Sequence, residues 1–259
     1  MKTITITNQK GGTGKTSLTL LLAYGLADTG HTVLVIDLDQ QSDASYLLTR
    51  GAYNSSQTSY EVLAEEQPLR PEEVYNTIAG GIDLVPASPR LNRLDTVLAG
   101  KLDVQFRLSD ALGELETDYD YVLIDTPPAI NFAVQNALTA ADGLIIPVQA
   151  DLLSLKGMQT LESVVKQIRR RSNPRLKIYG VAVMRYQAQT VFARSISQAL
   201  DQISEELDTK TYNHTIREAT AVKEAENAFS SLYEYAKNAP VTEDARGLLK
   251  EVMEDLEHD

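Results

Sequence analysis

A glycine-rich run close to the first residue constrains the fold more than any other feature of this sequence. The run reads KGGTGKTS over residues 10–17; it follows the strand-like TITIT of residues 3–7 and precedes a helical pattern. Glycine lets a backbone approach a polyphosphate closely, and the N–H groups of such a loop and of the helix after it point at the anion. The sequence therefore predicts a phosphate-binding loop between a strand and a helix, an arrangement typical of nucleotide hydrolysis.

The two lysines of this run are predicted to have different roles. Lys15 is expected to contact the outer phosphates, and the Thr16 hydroxyl is expected to bind Mg²⁺. The usual pattern G-x-x-x-x-G-K-S/T would place a glycine where this chain has Gln9. Since one lysine is enough to neutralise a terminal phosphate within one subunit, Lys10 could extend to a nucleotide held by another copy of the chain.

Strand-like and helical segments alternate along the chain. Strands are predicted over residues 3–7, 32–37, 82–86, 121–125, 143–148, 177–184 and about 212–216, and helices over 15–28, 91–115, 155–171, 191–207 and 243–256. Continuously apolar strands such as VLVI and YVLI suit a sheet that is covered on both faces. We expect an α/β fold with a doubly wound, mainly parallel sheet flanked by helices, in one domain spanning residues 1–259, with ligands at the carboxyl ends of the strands.

Carboxylates follow two of the predicted strands. Asp37 and Asp39 come directly after VLVI, and Asp125 comes directly after YVLI. Taken singly, each could simply cap a loop, because Asp is common where strands end. Next to a phosphate loop they favour a second interpretation, in which Asp125 is an outer partner of Mg²⁺, and one of Asp37 and Asp39 serves the metal while the other faces a water molecule.

The composition excludes several classes of site. The chain has no cysteine, which rules out disulfides, thiolate metal sites and iron–sulfur clusters. No apolar run approaches the roughly 20 residues that a membrane-spanning helix needs, and no leader-like segment precedes the first predicted strand. We therefore expect a cytoplasmic protein that does not associate with membranes.

The charge of the chain leaves its relation to nucleic acids open. The formal net charge is −12, which argues against contact with a phosphate backbone. However, residues 166–177 contain six basic residues and no acidic one, and Arg169, Arg170 and Arg171 are consecutive. These cations could complement the dipole at the end of a helix, or they could contact a polyanion.

Together these motifs resemble the ParA/MinD family of P-loop ATPases, whose phosphate loop is a deviant Walker A motif with a signature lysine. Within that family the chain is most similar to ParA partition ATPases, through DLDQQSDAS at residues 37–45, PAS at 86–88, PVQAD at 147–151 and LKG at 155–157. Gln40 stands where ParA proteins often have proline. Since the first predicted strand begins at once, the resemblance is to the short type without an N-terminal helix-turn-helix.

The resemblance implies an ATP-dependent switch in which ATP and Mg²⁺ lie between two subunits. Lys10 of each subunit would contact the phosphates of the other, Lys15 would stabilise charge in its own site, and Asp39 would orient the attacking water. Thr16, Asp37 and Asp125 would serve the metal. The resemblance further places the phosphates against Gly11, Gly12, Thr13, Gly14, Lys15, Thr16 and Ser17, and the adenine near Met184, Arg185 and Ile216.

The same resemblance implies partners. The ATP-bound homodimer would bind DNA without sequence preference and associate with the nucleoid, and a ParB-type centromere-binding protein would stimulate slow hydrolysis during plasmid or chromosome segregation. Arginines that contact DNA in this family fall on Gln189, Glu218 and Ala221 here. The basic residues that could substitute for them are Arg169, Arg170, Arg171, Arg185, Arg194, Arg217 and Lys223.

Two other functions share this scaffold. A MinD-like positioning ATPase at a membrane would need a basic amphipathic C-terminal helix, but the apolar stripe near that end (Leu248, Leu249, Val252, Met253 and Leu256) is accompanied by acidic residues, so we expect the helix to pack on the core. A synthetase or a tyrosine kinase is the other alternative. Tyr233 and Tyr235 are too few to favour the kinase.

Overall fold

The protein is described by a computed structural model that covers residues 1–53, 57–70, 74–77, 81–115, 119–187 and 191–258. Its centre is a sheet with the strand order β3-β4-β2-β5-β1-β6-β7. The strands are β1 (Lys2–Ile6), β2 (Val33–Asp37), β3 (Tyr75–Asn76), β4 (Ile82–Val85), β5 (Tyr121–Asp125), β6 (Gly143–Val148) and β7 (Lys177–Val183). All neighbouring pairs are parallel except β3 with β4 at one edge. The predicted mainly parallel sheet is confirmed.

Helices cover both faces of this sheet. They are α1 (Lys15–Asp28), α2 (Asp43–Thr49), α3 (Ser59–Glu65), α4 (Leu94–Leu98), α5 (Arg107–Gly113), α6 (Phe132–Ala140), α7 (Leu152–Arg171), α8 (Val191–Glu206), α9 (Thr220–Asn227), α10 (Leu232–Tyr235) and α11 (Pro240–Glu257). Alternate residues of β2 enter different cores: Val33 and Val35 pack with α1 and α11, whereas Leu34 and Ile36 pack with α3 and α5. This two-sided burial explains why the strand is apolar at consecutive positions.

The α1–α11 contact depends on a glycine. A Cβ atom at Gly25 of α1 would lie 2.6 Å from Leu249 Cδ2 and 2.9 Å from the Tyr233 hydroxyl. Leu248, Leu249 and Val252 of α11 are buried in the same core. The predicted packing of the C-terminal apolar stripe on the core is confirmed. No helix in the described ranges is both long and apolar enough to cross a membrane.

The predicted strand over residues 212–216 is wrong. Only the two residues that flank this segment form isolated bridges, Thr211 with Val181 of β7 and Arg217 with Tyr186, which follows β7. The reason is that the backbone N–H groups of Asn213 and His214 donate to the Glu251 carboxylate of α11, at 2.8 and 2.9 Å, instead of to a neighbouring strand.

The predicted helix over residues 91–115 is also wrong, because it is broken in the middle. Pro89–Arg93 and Val104–Phe106 are 3₁₀ turns, and only α4 and α5 are α-helical in this part of the chain. The break falls where Gly100 and Asp103 have positive φ angles of 76° and 56°, a backbone conformation that ends a right-handed helix.

Candidate active site

The glycine-rich loop connects β1 to α1 at the carboxyl edge of the sheet, as its sequence predicts. Gly12 and Gly14 have φ angles of 75° and 91°, which favour glycine. The first bond of α1 joins the Leu18 N–H to the Gly14 carbonyl at 2.8 Å, and the buried Thr13 hydroxyl donates to the Lys10 carbonyl at 3.4 Å. The loop thus reverses the chain tightly before the N-terminus of a helix.

This loop borders a cavity of about 520 Å³, which we call the loop cavity. Gly11, Gly12, Gly14, Lys15, Thr16 and Ser17 line one side of it. Asp39, Asp43 and Tyr46, which follow β2, line another side. The N-terminal end of α1 and an acidic loop therefore face the same space, which is large enough for a small ligand with phosphate groups.

Lys15 is buried inside this arrangement. Its side chain is 7% exposed, and its ammonium group donates to the Lys10 carbonyl at 3.3 Å. Burial lowers the pKa of Lys15, and the nearby carboxylates of Asp125 and Asp39 oppose that change. An anion entering the loop cavity would therefore meet a desolvated cation.

Lys10 has a different environment. Its ammonium group forms an ion pair with the Asp151 carboxylate at the start of α7, and its side chain is 23% exposed. Burial alone would raise the pKa of Asp151, but hydrogen bonds from Lys10 and Ser154 and the charge of Lys10 lower it. Asp151 also caps α7, since the Ser154 N–H donates to its Oδ1 at 2.9 Å. Lys10 is thus restrained at the rim of the site by its own chain.

Asp125 contacts the predicted metal-binding threonine. The Thr16 hydroxyl donates to Asp125 Oδ2 at 2.7 Å. The carboxylate is 1% exposed, and burial, together with the neighbouring Asp37, raises its pKa to about 8. A divalent cation would offset this electrostatic cost.

Asp37 lies opposite Asp125 on the neighbouring strand and is fully buried. Both of its oxygens accept hydrogen bonds: Oδ1 from the Asp39 N–H at 3.0 Å, and Oδ2 from the Ser45 N–H at 2.9 Å and the Ser45 hydroxyl at 2.7 Å. Burial raises its pKa to about 6 despite these bonds. Asp37 therefore shapes the loop from Asp39 to Ser45 in addition to contributing charge.

Asp39 stands on that loop. It lines the loop cavity, is partly buried, and accepts a hydrogen bond from the Gln41 N–H at 3.0 Å through Oδ1. Ser42, three residues later, has a φ angle of 59°, which is uncommon for a residue other than glycine. The loop is therefore constrained by its own hydrogen bonds, with the Asp39 carboxylate at the cavity wall.

The donors around Thr16 fit Mg²⁺. Among the residues that the structure describes, no cluster of three or more His, Asp or Glu side chains forms a ready metal cage. Mg²⁺ commonly uses one or two carboxylates together with phosphate oxygens and water. A threonine hydroxyl beside a buried carboxylate, at the edge of a phosphate loop, meets that description.

The residues predicted to surround a purine are brought together. Met184, Arg185 and Ile216 line a shallow cavity of about 30 Å³, the side cavity, which also contacts Gly14 and Ser17 of the loop. The Ile216 N–H donates to the Val183 carbonyl at 2.8 Å, which fixes this segment beside the end of β7.

Comparisons with known proteins agree with this architecture. A family model described as "AAA domain" matches residues 1–178. The chromosome partitioning protein ParA of Caulobacter vibrioides is 34% identical over 227 residues, covering 87% of this chain and 84% of that protein. The sporulation initiation inhibitor protein Soj of Bacillus subtilis is 30% identical over 251 residues, covering 97% and 98%.

The chain belongs to the ParA family of P-loop ATPases.

A solved structure supports the same assignment. The chain is similar to McdA of Cyanothece, in a variant solved as a complex with ATP, with a TM-score of 0.86 at 25% identity over 99% of this chain and 96% of that one. The sequence-based resemblance to ParA proteins and the P-loop ATPase fold are confirmed. Nucleotide hydrolysis is the chemistry of this family.

The candidate DNA-binding residues do not form one surface. Arg217 and Lys223 line the side cavity, although the Arg217 guanidinium is bound by the Asp244 carboxylate. Arg169, Arg170 and Arg171 end α7 shortly before β7 begins, which places them at the opposite edge of the parallel sheet from the loop. The Arg169 Nε–H donates to the Leu176 carbonyl at 2.7 Å. Gln189 lies outside the described residues, as does the side chain of Arg194.

Three polar residues that the sequence analysis did not single out support the ParA-type loop. Asn8 donates through Nδ2 to the Pro147 carbonyl at 2.7 Å and accepts from the Lys10 N–H at 3.2 Å. Gln149 donates to the Gly12 carbonyl at 2.7 Å. Ser45 joins Asp37 to the Ala87 N–H, which donates to the Ser45 hydroxyl at 2.8 Å. Gln149 and Ser45 lie in the segments that resemble ParA proteins, so the resemblance could have indicated them.

Proposed function

We propose that this protein is an ATP-dependent dimerising switch that binds DNA without sequence preference and hydrolyses ATP when a ParB-type centromere-binding partner stimulates it, in plasmid or chromosome segregation. The observation that carries the proposal is the unequal environment of the two loop lysines. Lys15 is buried among the acids of its own site, whereas Lys10 is partly exposed at the rim and paired with Asp151. One lysine thus faces the site within its own subunit, and the other would reach a second copy once it leaves Asp151.

The proposed chemistry is positioning and charge stabilisation, as in other phosphoryl transfers. ATP would lie in the loop cavity, and Thr16, Asp37 and Asp125 would hold Mg²⁺, which would supply positive charge to offset that of the phosphates. Lys15 stabilises charge that develops on the outer phosphate oxygens. The Asp39 carboxylate at the cavity wall accepts a hydrogen bond from the attacking water and orients it. Lys10 of the partner subunit completes each site.

DNA contact is proposed for the sheet edge that carries the loop. Lys223 and Arg185 are exposed there, and Arg217 lies beside them. These cations adjoin the nucleotide site, so ATP binding and dimer formation can change the positions of their side chains. Arg169, Arg170 and Arg171 are a weaker choice, since the opposite edge of the sheet is far from the nucleotide. With a net charge of −12, any such contact must be local.

The proposal is tested by retention of random-sequence DNA with no nucleotide, with ADP, and with ATP and Mg²⁺, at two salt concentrations. We expect retention only with ATP, with a steep loss at the higher salt concentration. Lys10→Ala should abolish it, whereas Lys250→Ala, which removes the same charge from an 80% exposed side chain of α11, should not. A dimer that forms with ATP but ignores DNA would contradict the DNA-binding part. ATP-dependent co-sedimentation with anionic liposomes would favour the membrane alternative instead.

A further inference from the structure

Glu226 occupies a position that the proposed mechanism does not use. It lies near the C-terminal end of α9, and its Oε1 accepts a hydrogen bond from the Ser17 hydroxyl at 2.9 Å. Ser17 is the last residue of the phosphate loop motif. Both residues line the loop cavity and the side cavity. Glu226 therefore stands at the junction between the space assigned to the phosphates and the space assigned to the purine.

The direction of a bound nucleotide follows from the neighbours of Ser17. Thr16 faces Asp125 and the metal side of the site, through a hydrogen bond of 2.7 Å. Ser17, one residue further along α1, faces α9. Consider a nucleotide whose outer phosphates lie at Lys15 and Thr16 and whose base lies against the residues that line the side cavity. The part of it that joins phosphate to base must pass Ser17 and Glu226. In a nucleotide that part is the ribose.

The chemistry of Glu226 suits a sugar better than a phosphate. A carboxylate accepts hydrogen bonds and repels anions. Within the described part of the chain, Glu226 forms no ion pair, and its Oε2 has no hydrogen-bond partner. This unpaired carboxylate oxygen lies beside the space assigned to the phosphates. It can therefore accept hydrogen bonds from hydroxyl groups of a bound ligand. The ribose supplies two neighbouring hydroxyl groups.

We propose that Glu226 binds the 2′- and 3′-hydroxyl groups of the ribose and makes this protein selective for ribonucleotides. This inference rests on the proposed placement of the nucleotide in the loop cavity, but it does not depend on DNA binding or on a stimulating partner. When the nucleotide enters, Glu226 is available to both sugar hydroxyls through Oε2 and through the oxygen that Ser17 contacts. Glu226 would be a specificity-determining residue of the ATPase.

The test is calorimetric binding of ADP, 2′-deoxyADP, 3′-deoxyADP and inosine diphosphate, with Mg²⁺, to the protein. Diphosphates avoid hydrolysis during the titration. The wild-type protein should bind ADP about 10- to 100-fold more tightly than the deoxy analogues, because a hydrogen bond to a charged group contributes affinity of that order. In Glu226→Ala the ratio should fall to about one, and Glu226→Gln, which keeps one acceptor oxygen, should be intermediate. We compare the ratio of the affinities for ADP and the deoxy analogues, because removal of a negative charge changes the affinity for all of these phosphate ligands alike.

Glu224→Ala is the matched control, since Glu224 is an exposed carboxylate on the same helix. It should keep the wild-type ratio. Equal affinities of the wild-type protein for ADP and both deoxy analogues would overturn the proposal, and so would an unchanged ratio in Glu226→Ala. If Glu226→Ala alters only the preference for ADP over inosine diphosphate, the carboxylate faces the base and the ribose assignment is wrong. If Lys15→Ala leaves ADP affinity unchanged, the placement of the nucleotide itself fails, an outcome distinct from failure of the ribose contact alone.

Discussion

The Lys10–Asp151 ion pair gives a quantitative prediction about dimerisation. If Lys10 contacts the nucleotide of a second subunit, its ammonium group must first leave Asp151. The two side chains are 23% and 32% exposed, so the pair contributes about 0.5–1 kcal/mol. A dimer breaks two such pairs, one in each subunit, which opposes association by about 1–2 kcal/mol, or about 5- to 30-fold in the dissociation constant.

Asp151→Asn should therefore tighten the ATP-dependent dimer by about 5- to 30-fold. Asparagine is chosen because it also caps helices well, so the hydrogen bond from the Ser154 N–H is kept and the start of α7 is not disturbed. The dissociation constant is measured by sedimentation equilibrium with Mg²⁺ and a non-hydrolysable ATP analogue. The difference from the wild-type protein should shrink at high salt, because salt screens an exposed ion pair.

Asp110→Asn provides the control, since Asp110 is an exposed carboxylate on α5 and the charge change is the same. Its dimer should match that of the wild-type protein. Equal or weaker dimerisation of Asp151→Asn would refute the reasoning, because it would mean that the pair does not restrain Lys10 or that Asp151 supports the dimer directly.

Three further predictions concern the loop, the core and the buried carboxylates. Gly157→Ala should weaken ADP binding, because the new Cβ would lie 2.9 Å from Asn8 Oδ1 and displace the side chain that positions the phosphate loop; calorimetry measures the change. Gly25→Ala should lower the free energy of unfolding by about 1–3 kcal/mol in urea, because its Cβ would lie 2.6 Å from Leu249 Cδ2. In the absence of Mg²⁺, the free energy of unfolding should fall as pH rises from about 4 towards 8. The reason is that burial raises the pKa of Asp125 to about 8, so the ionised carboxylate is disfavoured in the folded state. Asp125→Asn should reduce this pH dependence in urea titrations.

Each of these has a result that would contradict it. Gly113→Ala is the control for both glycine changes, because a Cβ there meets no atom of the described chain within 4 Å. It should leave ADP binding unchanged and should not lower the free energy of unfolding. A stable Gly25→Ala protein would show that α11 can move away from α1 at little cost. Normal ADP affinity in Gly157→Ala would remove Asn8 from the support of the loop. An identical pH slope in Asp125→Asn would show that other groups cause the dependence.

Much of this site could be predicted because its residues are local in sequence. The phosphate loop occupies eight consecutive positions, and Asp37 and Asp125 follow apolar strands whose burial is evident from their composition. Parallel strands bring their carboxyl ends to one edge, so the meeting of Lys15, Thr16 and Asp125 could be expected before the structure was known.

The remaining features depend on contacts between distant segments. The Lys10–Asp151 pair joins residues 141 positions apart, and the Ser17–Glu226 bond joins residues 209 positions apart, so no local pattern indicates either one. Residues 212–216 have the composition of a strand, but Glu251 of α11 takes two of their N–H groups. Tertiary hydrogen bonds of this kind override strand propensity.

The register of β2 against β5 makes correct folding a condition for having an active site at all. Asp37 faces Asp125 because Val33 pairs with Tyr121 and each later residue pairs in step. A slip of one residue would turn the alternating apolar side chains of β2 to the wrong cores and would set an apolar residue beside Asp125. A misregistered chain would thus lose its carboxylate pair and its packing together. The specific activity of a refolded sample should therefore report the fraction of molecules in which β2 and β5 are correctly aligned.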